Sequence, residues 1–445
     1  MESNILKYQQ PLIKNIGLCS ILLFAISIFS DRDLNRIAEA LMIISILFSL
    51  KSIYTYEREN SGLWIYLLII ISFFTMYIAN NVADVIYPTL NLNHDQFSRR
   101  YLRILFFVFV GWWVIKQQKT IWLLLGCFSL AFTIRVIASG DFLRISSLYD
   151  FSRFAFGFSN AQHSAAFSGS LLITYISLSP AILKIKNNYT KTLTGMVVVA
   201  LLLIAFIVTL ASQTRAVWLA IFIVAGIAAL PWAILFVGKS SPHLKFKLSI
   251  YYIALLIIFL TVASLSQSIS KRVMHTVTHA LYLSQLQVKD IPLTSAGIRI
   301  HQWNLALDLI KEKPFSGHGG ATKKYLIKIS NMPKRAISNF GHFHNSYLEL
   351  GVAYGLCATF IFIFILGFLL YRIIKTYNDK QISPEFAFWG ISWIVFFTII
   401  NIFESYVMYR TGYFLFIIFG GIIYGITSKP YIKIINQQEK SHAAL

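Results

Sequence analysis

The chain has 445 residues, 57% of them hydrophobic and 13% charged, with a mean hydropathy of +0.65. Soluble domains carry roughly 45–50% apolar and ~25% charged residues, so a water-soluble enzyme is excluded: there is too little charge to cover its surface. Lys and Arg number 39 against 18 Asp and Glu, a formal net charge of +21. On a soluble surface that would point to nucleic acid; in a membrane protein its meaning depends on where each basic residue sits.

A membrane-spanning helix needs ~20 mostly apolar residues to cross ~30 Å of hydrocarbon. Such runs lie near 13–30, 36–54, 62–80, 101–117, 119–139, 162–183, 193–211, 216–237, 249–267, 351–371, 385–403 and 412–428. They predict an all-α integral membrane protein with twelve spans. The fourth and fifth runs are the least distinct, separated only by Gln117 and Gln118. The first follows Lys7 and Lys14 with no small-residue cleavage site behind it, so it reads as a span rather than a signal peptide. One long polar interruption covers 268–346. Within it Ile300, Trp303, Leu307 and Ile310 recur at helical spacing, which predicts an amphipathic helix lying on the membrane. The organisation is then nine spans over 1–267, the long loop 268–346, three spans over 347–428 and a tail 429–445. Cys19, Cys127 and Cys357 lie apart in apolar runs, with no disulfide or zinc spacing.

Twelve spans put both termini on one side. The loops of that side hold sixteen lysines, from Lys7 to Lys440, and only Arg58 and Arg372 as arginines. The positive-inside rule makes this the cytoplasmic side. The opposite short loops and helix ends hold Arg32, Arg36, Arg99, Arg100, Arg103, Arg135, Arg144, Arg153, Arg215 and Arg410 and no lysine, and the long loop falls on this outer side too. Topology does not ask for arginine outside. Its planar fork grips phosphate in a bidentate manner and never loses its charge, so the set suggests an anionic, phosphorylated ligand. Single members, such as Arg32 and Arg36 beside Asp31 and Asp33, fit interfacial snorkelling as well.

Three arginines differ from anchors. Arg215 in Ala-Ser-Gln-Thr-Arg-Ala is wedged between two apolar spans, where a charge costs a few kcal/mol and usually faces a cavity or a partner. Arg153 precedes a Phe- and Gly-rich approach to the sixth span. Arg299 opens the amphipathic stretch that ends at Pro314-Phe315-Ser316-Gly317-His318-Gly319-Gly320, whose glycines form a weak phosphate-loop pattern. Where the chain re-enters the membrane stands His342-Phe343-His344-Asn345-Ser346-Tyr347-Leu348-Glu349. On spacing alone His344 reads either as a hydrogen-bonded interfacial histidine or as a general base for a hydroxyl. On a helix Glu349 would lie on an adjoining face and orient it. Two histidines two apart also admit a metal, but no carboxylate or cysteine set with ligand spacing accompanies them.

The blocks Gln213-Thr214-Arg215-Ala216, Gly297-Ile298-Arg299, Pro314 to Gly319 and His344 to Glu349, in this order around a long late loop, resemble the O-antigen ligase/polymerase superfamily. Arg153 with Gly157 through Asn160 is similar to an earlier block of that family, with Asn160-Ala161 in place of its usual Asn-Pro. The resemblance implies a GT-C-like glycosyltransferase of the bacterial inner membrane, working on the periplasmic side without cofactor or metal. Its donor would be a glycan on undecaprenyl pyrophosphate. The ligase branch uses a sugar hydroxyl of lipid A–core as acceptor; the polymerase branch uses a second undecaprenyl-linked repeat. Nucleic acid has no part in this reading. In the residue roles it implies, Arg215 and Arg299 clamp the pyrophosphate with Arg153 in support, His344 is the general base and Glu349 its orienter. A transporter or flippase of an anionic glycolipid is the alternative from another class, although neither related halves nor broken helices are evident in the sequence.

Overall fold

The computed structural model describes residues 11–59, 64–115, 117–147, 153–237, 291–338 and 341–428, which are helical with connecting turns and no strand among them. The long helices follow the apolar runs: α1 Pro11–Ser27, α2 Arg32–Glu59, α3 Trp64–Ile86, α4 Asp95–Arg103, α5 Phe107–Val114, α6 Gln118–Ala138, α7 Ala161–Leu183, α8 Asn188–Ala211 and α9 Arg215–Val237. After the run 249–267 and the start of the long loop, which lie outside the described residues, come α10 Ser295–Glu312, α11 Lys323–Ile329 and α12 Lys334–Ser338. The chain closes with α13 Ser346–Asn378, α14 Pro384–Phe403, α15 Arg410–Leu415 and α16 Gly421–Thr427, the last two joined by a π turn over Phe416–Gly420.

Among the described residues, eight helical stretches are long and apolar enough to cross a membrane, and the apolar parts of α1 and α9 are shorter. Their outer faces are greasy: Leu123, Leu130, Ile134 and Ile137 on α6, and Met196, Val199 and Leu203 on α8, are exposed at helical spacing. A soluble monomer rarely leaves such stripes uncovered, whereas lipid covers them. Cys19 and Cys357 are likewise exposed on apolar helices.

Within the run 101–117, Tyr101 to Val114 form one helical path, tightened by a 3-10 turn at Ile104–Phe106 between α4 and α5. Nearly all of α5 is buried against α16. Small residues bring those backbones together: a Cβ on Gly421 would lie 2.7 Å from the Val110 Cβ, and one on Gly425 would lie 2.8 Å from the Gly111 carbonyl oxygen. Close approach through small residues is how helices associate where water supplies no hydrophobic drive. Beside this contact Trp393 stacks on Phe397 and Phe419, with ring centroids 4.9 and 5.3 Å away.

Side-chain caps set where helices begin. Asn160, Asn187, Thr294 and Asn345 accept backbone N–H bonds at the starts of α7, α8, α10 and α13. Helices α7 and α14 pack antiparallel in the core. At one end Lys184, after α7, pairs with Glu385 at the start of α14. At the other end Tyr406, beyond α14, donates to the Gln162 carbonyl at 2.9 Å. Arg153, Arg215 and Arg299 lie with Gln162 and Tyr406 at this second end, opposite Lys184.

Two loop expectations change. Helix α10 forms, but it buries Ile298, Gln302, Ala306 and Leu309, mainly against α13, while Leu307 stays 48% exposed. The face read as membrane-lying is therefore its flank. The Pro314–Gly320 loop meets the protein's own backbone rather than a phosphate. Helix α13 breaks at Gly355 (φ 79°, ψ 175°), and there Leu356 N–H donates to the Pro314 carbonyl at 2.7 Å. His318 and Gly319 N–H donate to the carbonyls of Val352 and Ala353 at 2.8 and 2.9 Å. Gly317 and Gly355 both have positive φ, and a Cβ on Gly355 would sit 2.2 Å from the Phe315 oxygen. Only glycine fits such a crossing.

Candidate active site

The sequence around His344 forms a scaffold rather than a run of helix. Asn345 caps α13 by accepting from Tyr347 and Leu348 N–H at 2.9 and 3.1 Å. Ser346 donates to Asn401 Oδ1 at 2.5 Å and lies 3.1 Å from the Glu404 carbonyl, which ties α13 to the end of α14. Tyr347 donates to the Thr398 carbonyl at 3.0 Å. His344 itself precedes the cap with φ 51°, a left-handed conformation that costs a β-carbon residue of order 1–3 kcal/mol and persists where its surroundings fix it.

That placement corrects the expected partner of His344. A residue outside the helix does not share the helical face of Glu349. The carboxylate on His344 is Glu404, whose Oε2 and Oε1 lie 2.9 and 3.1 Å from Nδ1. His342 Nε2 approaches the same carboxylate at 2.9 Å and His344 Nδ1 at 3.1 Å. Glu349 is fully buried and serves another purpose: it pairs with Lys323 of α11 and accepts from Phe343 N–H at 2.9 Å and Ser405 Oγ at 3.2 Å. It pins the loop to the spans and holds the backbone beside His344. Removing one member of a buried pair of this kind costs about 3–5 kcal/mol, because the other charge is left uncompensated.

The three sequence-selected arginines come together. Arg153, Arg215 and Arg299 line one cavity of about 480 Å³ with Gln162, Thr214, Tyr406 and Glu404. Arg215 is the first residue of α9, after a tight turn in which Gln213 has φ 49°. Arg153 braces that turn: its Nε donates to the Ser212 carbonyl at 2.9 Å and a terminal nitrogen to Thr214 Oγ1 at 3.3 Å. Arg299 enters from the first turn of α10, and its guanidinium lies 3.8 Å from Glu404 Oε2. Gly297 permits this entry, since a Cβ there would lie 1.9 Å from the Pro292 oxygen. His344 does not line the cavity; Glu404 connects the two.

The electrostatics favour a neutral imidazole beside a charged carboxylate. Burial pulls the His344 ring below its ordinary value, opposed by the hydrogen bond and charge of Glu404 and assisted by His342 and Arg299. Burial disfavours the Glu404 carboxylate, but hydrogen bonds and charge from His342 and His344 outweigh it and hold the carboxyl far below the usual range. With Nδ1–H donating to Glu404, the lone pair of a neutral His344 lies on Nε2, the proton-accepting tautomer.

His342, His344 and Glu404 also bring possible metal-ligand atoms within 4.8 Å of one another. Two histidines and a carboxylate suit a divalent cation in donor type. The Arg299 guanidinium beside Glu404 supplies positive charge where such a cation would sit and opposes its binding.

Glu404 was not singled out in the sequence. Its signal was available: between Glu385 and Glu439 it is the sole acidic residue, at the end of an apolar run and flanked by Asn401 and Ser405.

Residues 200–363, which hold Arg215, Arg299 and His344, match the family model described as O-Antigen ligase. An uncharacterized protein of Haemophilus influenzae is 31% identical over 205 residues, covering 45% of this chain and 48% of that protein. The match thus spans about half the length of the curated relative. The segment 200–363 is thus similar to the O-Antigen ligase family over the stretch that carries Arg215, Arg299 and His344.

Proposed function

We propose that the protein is an inverting, metal-independent O-antigen ligase of the bacterial inner membrane. It moves a glycan from undecaprenyl pyrophosphate to a sugar hydroxyl of lipid A–core on the periplasmic face, with both termini in the cytoplasm. The observation that carries this reading is the convergence of Arg153, Arg215 and Arg299 on one cavity whose Glu404 carboxylate holds His344. As the anomeric C–O bond breaks, negative charge grows on the pyrophosphate. Fixed guanidiniums in a partly desolvated site stabilise that charge better than water can. His344 Nε2 takes the proton of the acceptor hydroxyl as its oxygen attacks from the opposite face, and inversion follows. Glu404 is a positioning residue, keeping the tautomer and stabilising the imidazolium.

The test is transfer by purified protein from an undecaprenyl-pyrophosphate glycan to rough lipopolysaccharide. In cells, deletion should accumulate lipid-linked polymer. Lipopolysaccharide capped with a single repeat would instead assign the polymerase reaction.

Two further results are expected. Activity should survive EDTA; loss that Mg²⁺ or Mn²⁺ restores would make His342, His344 and Glu404 a metal site. Glu404→Gln should lower kcat and also move the acidic limb of the pH–rate profile to lower pH. The sign follows from the carboxylate, which stabilises the imidazolium and so raises the His344 pKa; without it His344 deprotonates at lower pH. A role confined to packing would lower activity without moving that limb.

A further inference from the structure

Arg100, Arg103 and Arg410 from the outer arginine set are not used by the cavity at Arg215, yet they too converge. Arg100 and Arg103, three apart on α4, lie on neighbouring positions of the helix surface. Arg100 lies over the Phe97 and Tyr409 rings at 5.6 and 5.8 Å, Arg103 over Tyr413 at 5.5 Å, and Arg410 over Phe414 at 5.3 Å. Tyr413 and Phe414 meet edge to face at 4.6 Å. Arg103 also donates to the Tyr413 hydroxyl at 3.3 Å. Only Arg103 has an acidic partner, Glu39 at 2.6 Å; among the described residues Arg100 and Arg410 have no carboxylate within ion-pair distance. All three are half-buried.

Gathering three permanent cations, of which only Arg103 is ion-paired, is unfavourable without a further anion. A guanidinium laid over an aromatic ring keeps its N–H edge available for bidentate bonding to phosphate. The position of the cluster suggests its use. The segment 404–413 links both arginine sets: Glu404 and Tyr406 line the first cavity, Tyr409 lies 5.3 Å from the His342 ring, and Arg410 and Tyr413 belong to the second cluster. His342 in turn contacts both Glu404 and His344.

We propose that Arg100 and Arg410, supported by Arg103, form a second anion subsite that holds a phosphate of the acceptor lipid while the first cavity holds the donor pyrophosphate. This rests on the transferase reading above. The phosphate comes either from the lipid A–core acceptor or from the pyrophosphate of a second prenyl-linked glycan.

The variant is Arg100→Gln/Arg410→Gln, with Arg103 retained because it neutralises buried Glu39. In reconstituted transfer the KM for the phosphorylated acceptor should rise tenfold or more, with the donor KM within twofold. Dephosphorylated acceptor should be used equally by wild type and variant. Running rough lipopolysaccharide and undecaprenyl-linked glycan as alternative acceptors shows which one carries the phosphate-dependent loss. Equal losses with phosphorylated and dephosphorylated acceptors, no loss, or a rise in donor KM would each overturn the subsite. Binding of bisphosphorylated and dephosphorylated lipid A to the detergent-solubilised protein decides it without turnover. Phosphate-dependent binding lost in the variant supports the subsite, and its absence refutes it. If the wild type transfers nothing from any prenyl-linked donor, the transferase reading fails while this binding result still stands.

Discussion

His344→Asn is expected to lower transfer by about 10²–10⁴-fold, the usual consequence of losing a general base. Asparagine is the sharper choice than alanine because it tolerates the left-handed conformation at this position (φ 51°) and can still hydrogen-bond Glu404. It cannot accept a proton. The variant should therefore insert, accumulate and melt like wild type while single-turnover transfer collapses. Activity within tenfold of wild type would remove His344 from the chemistry. Glu404, which lines the cavity directly, would then be the base to test.

How much of this was legible in the sequence depends on how far apart the interacting residues lie. Apolar periodicity is local, so the described spans lie close to their expected positions, and placement beside apolar spans distinguishes Arg153, Arg215 and Arg299, which line one cavity. The orienting carboxylate was not local. Glu404 reaches His344 across 60 residues, whereas Glu349 stood nearby on an imagined helical face. The helix begins only at Ser346, with Asn345 as its cap, so that face does not extend to His344. The glycines of 317–320 failed for a similar reason. Their pattern is compatible with a phosphate loop, and nothing within the loop indicates that Gly355, in a stretch read as an unbroken span, provides the backbone they cross. Likewise spacing alone could not say which side of α10 would meet α13, because apolar residues occur on more than one of its faces.

Arg215→Ala should lower kcat by about 10²–10³-fold, the range for removing one donor to a developing oxyanion. The decisive variant is Arg215→Lys. A residue that merely snorkels to headgroups would keep nearly full activity with lysine, since charge and reach are similar. A clamp on pyrophosphate would not, because the ammonium lacks the planar fork that meets two oxygens at once. Near-complete loss with lysine is expected, and the defect should appear in kcat with the donor KM changed less, since the charge to be stabilised is greatest in the transition state. Arg153 provides an internal comparison in the same cavity. Its Nε is occupied by the Ser212 carbonyl and one terminal nitrogen by Thr214, so Arg153→Ala should loosen the turn that presents Arg215 and cost less than Arg215→Ala. Equal effects from both, or rescue of Arg215 by lysine, would mean that the cavity orders the helix ends rather than stabilising the leaving group.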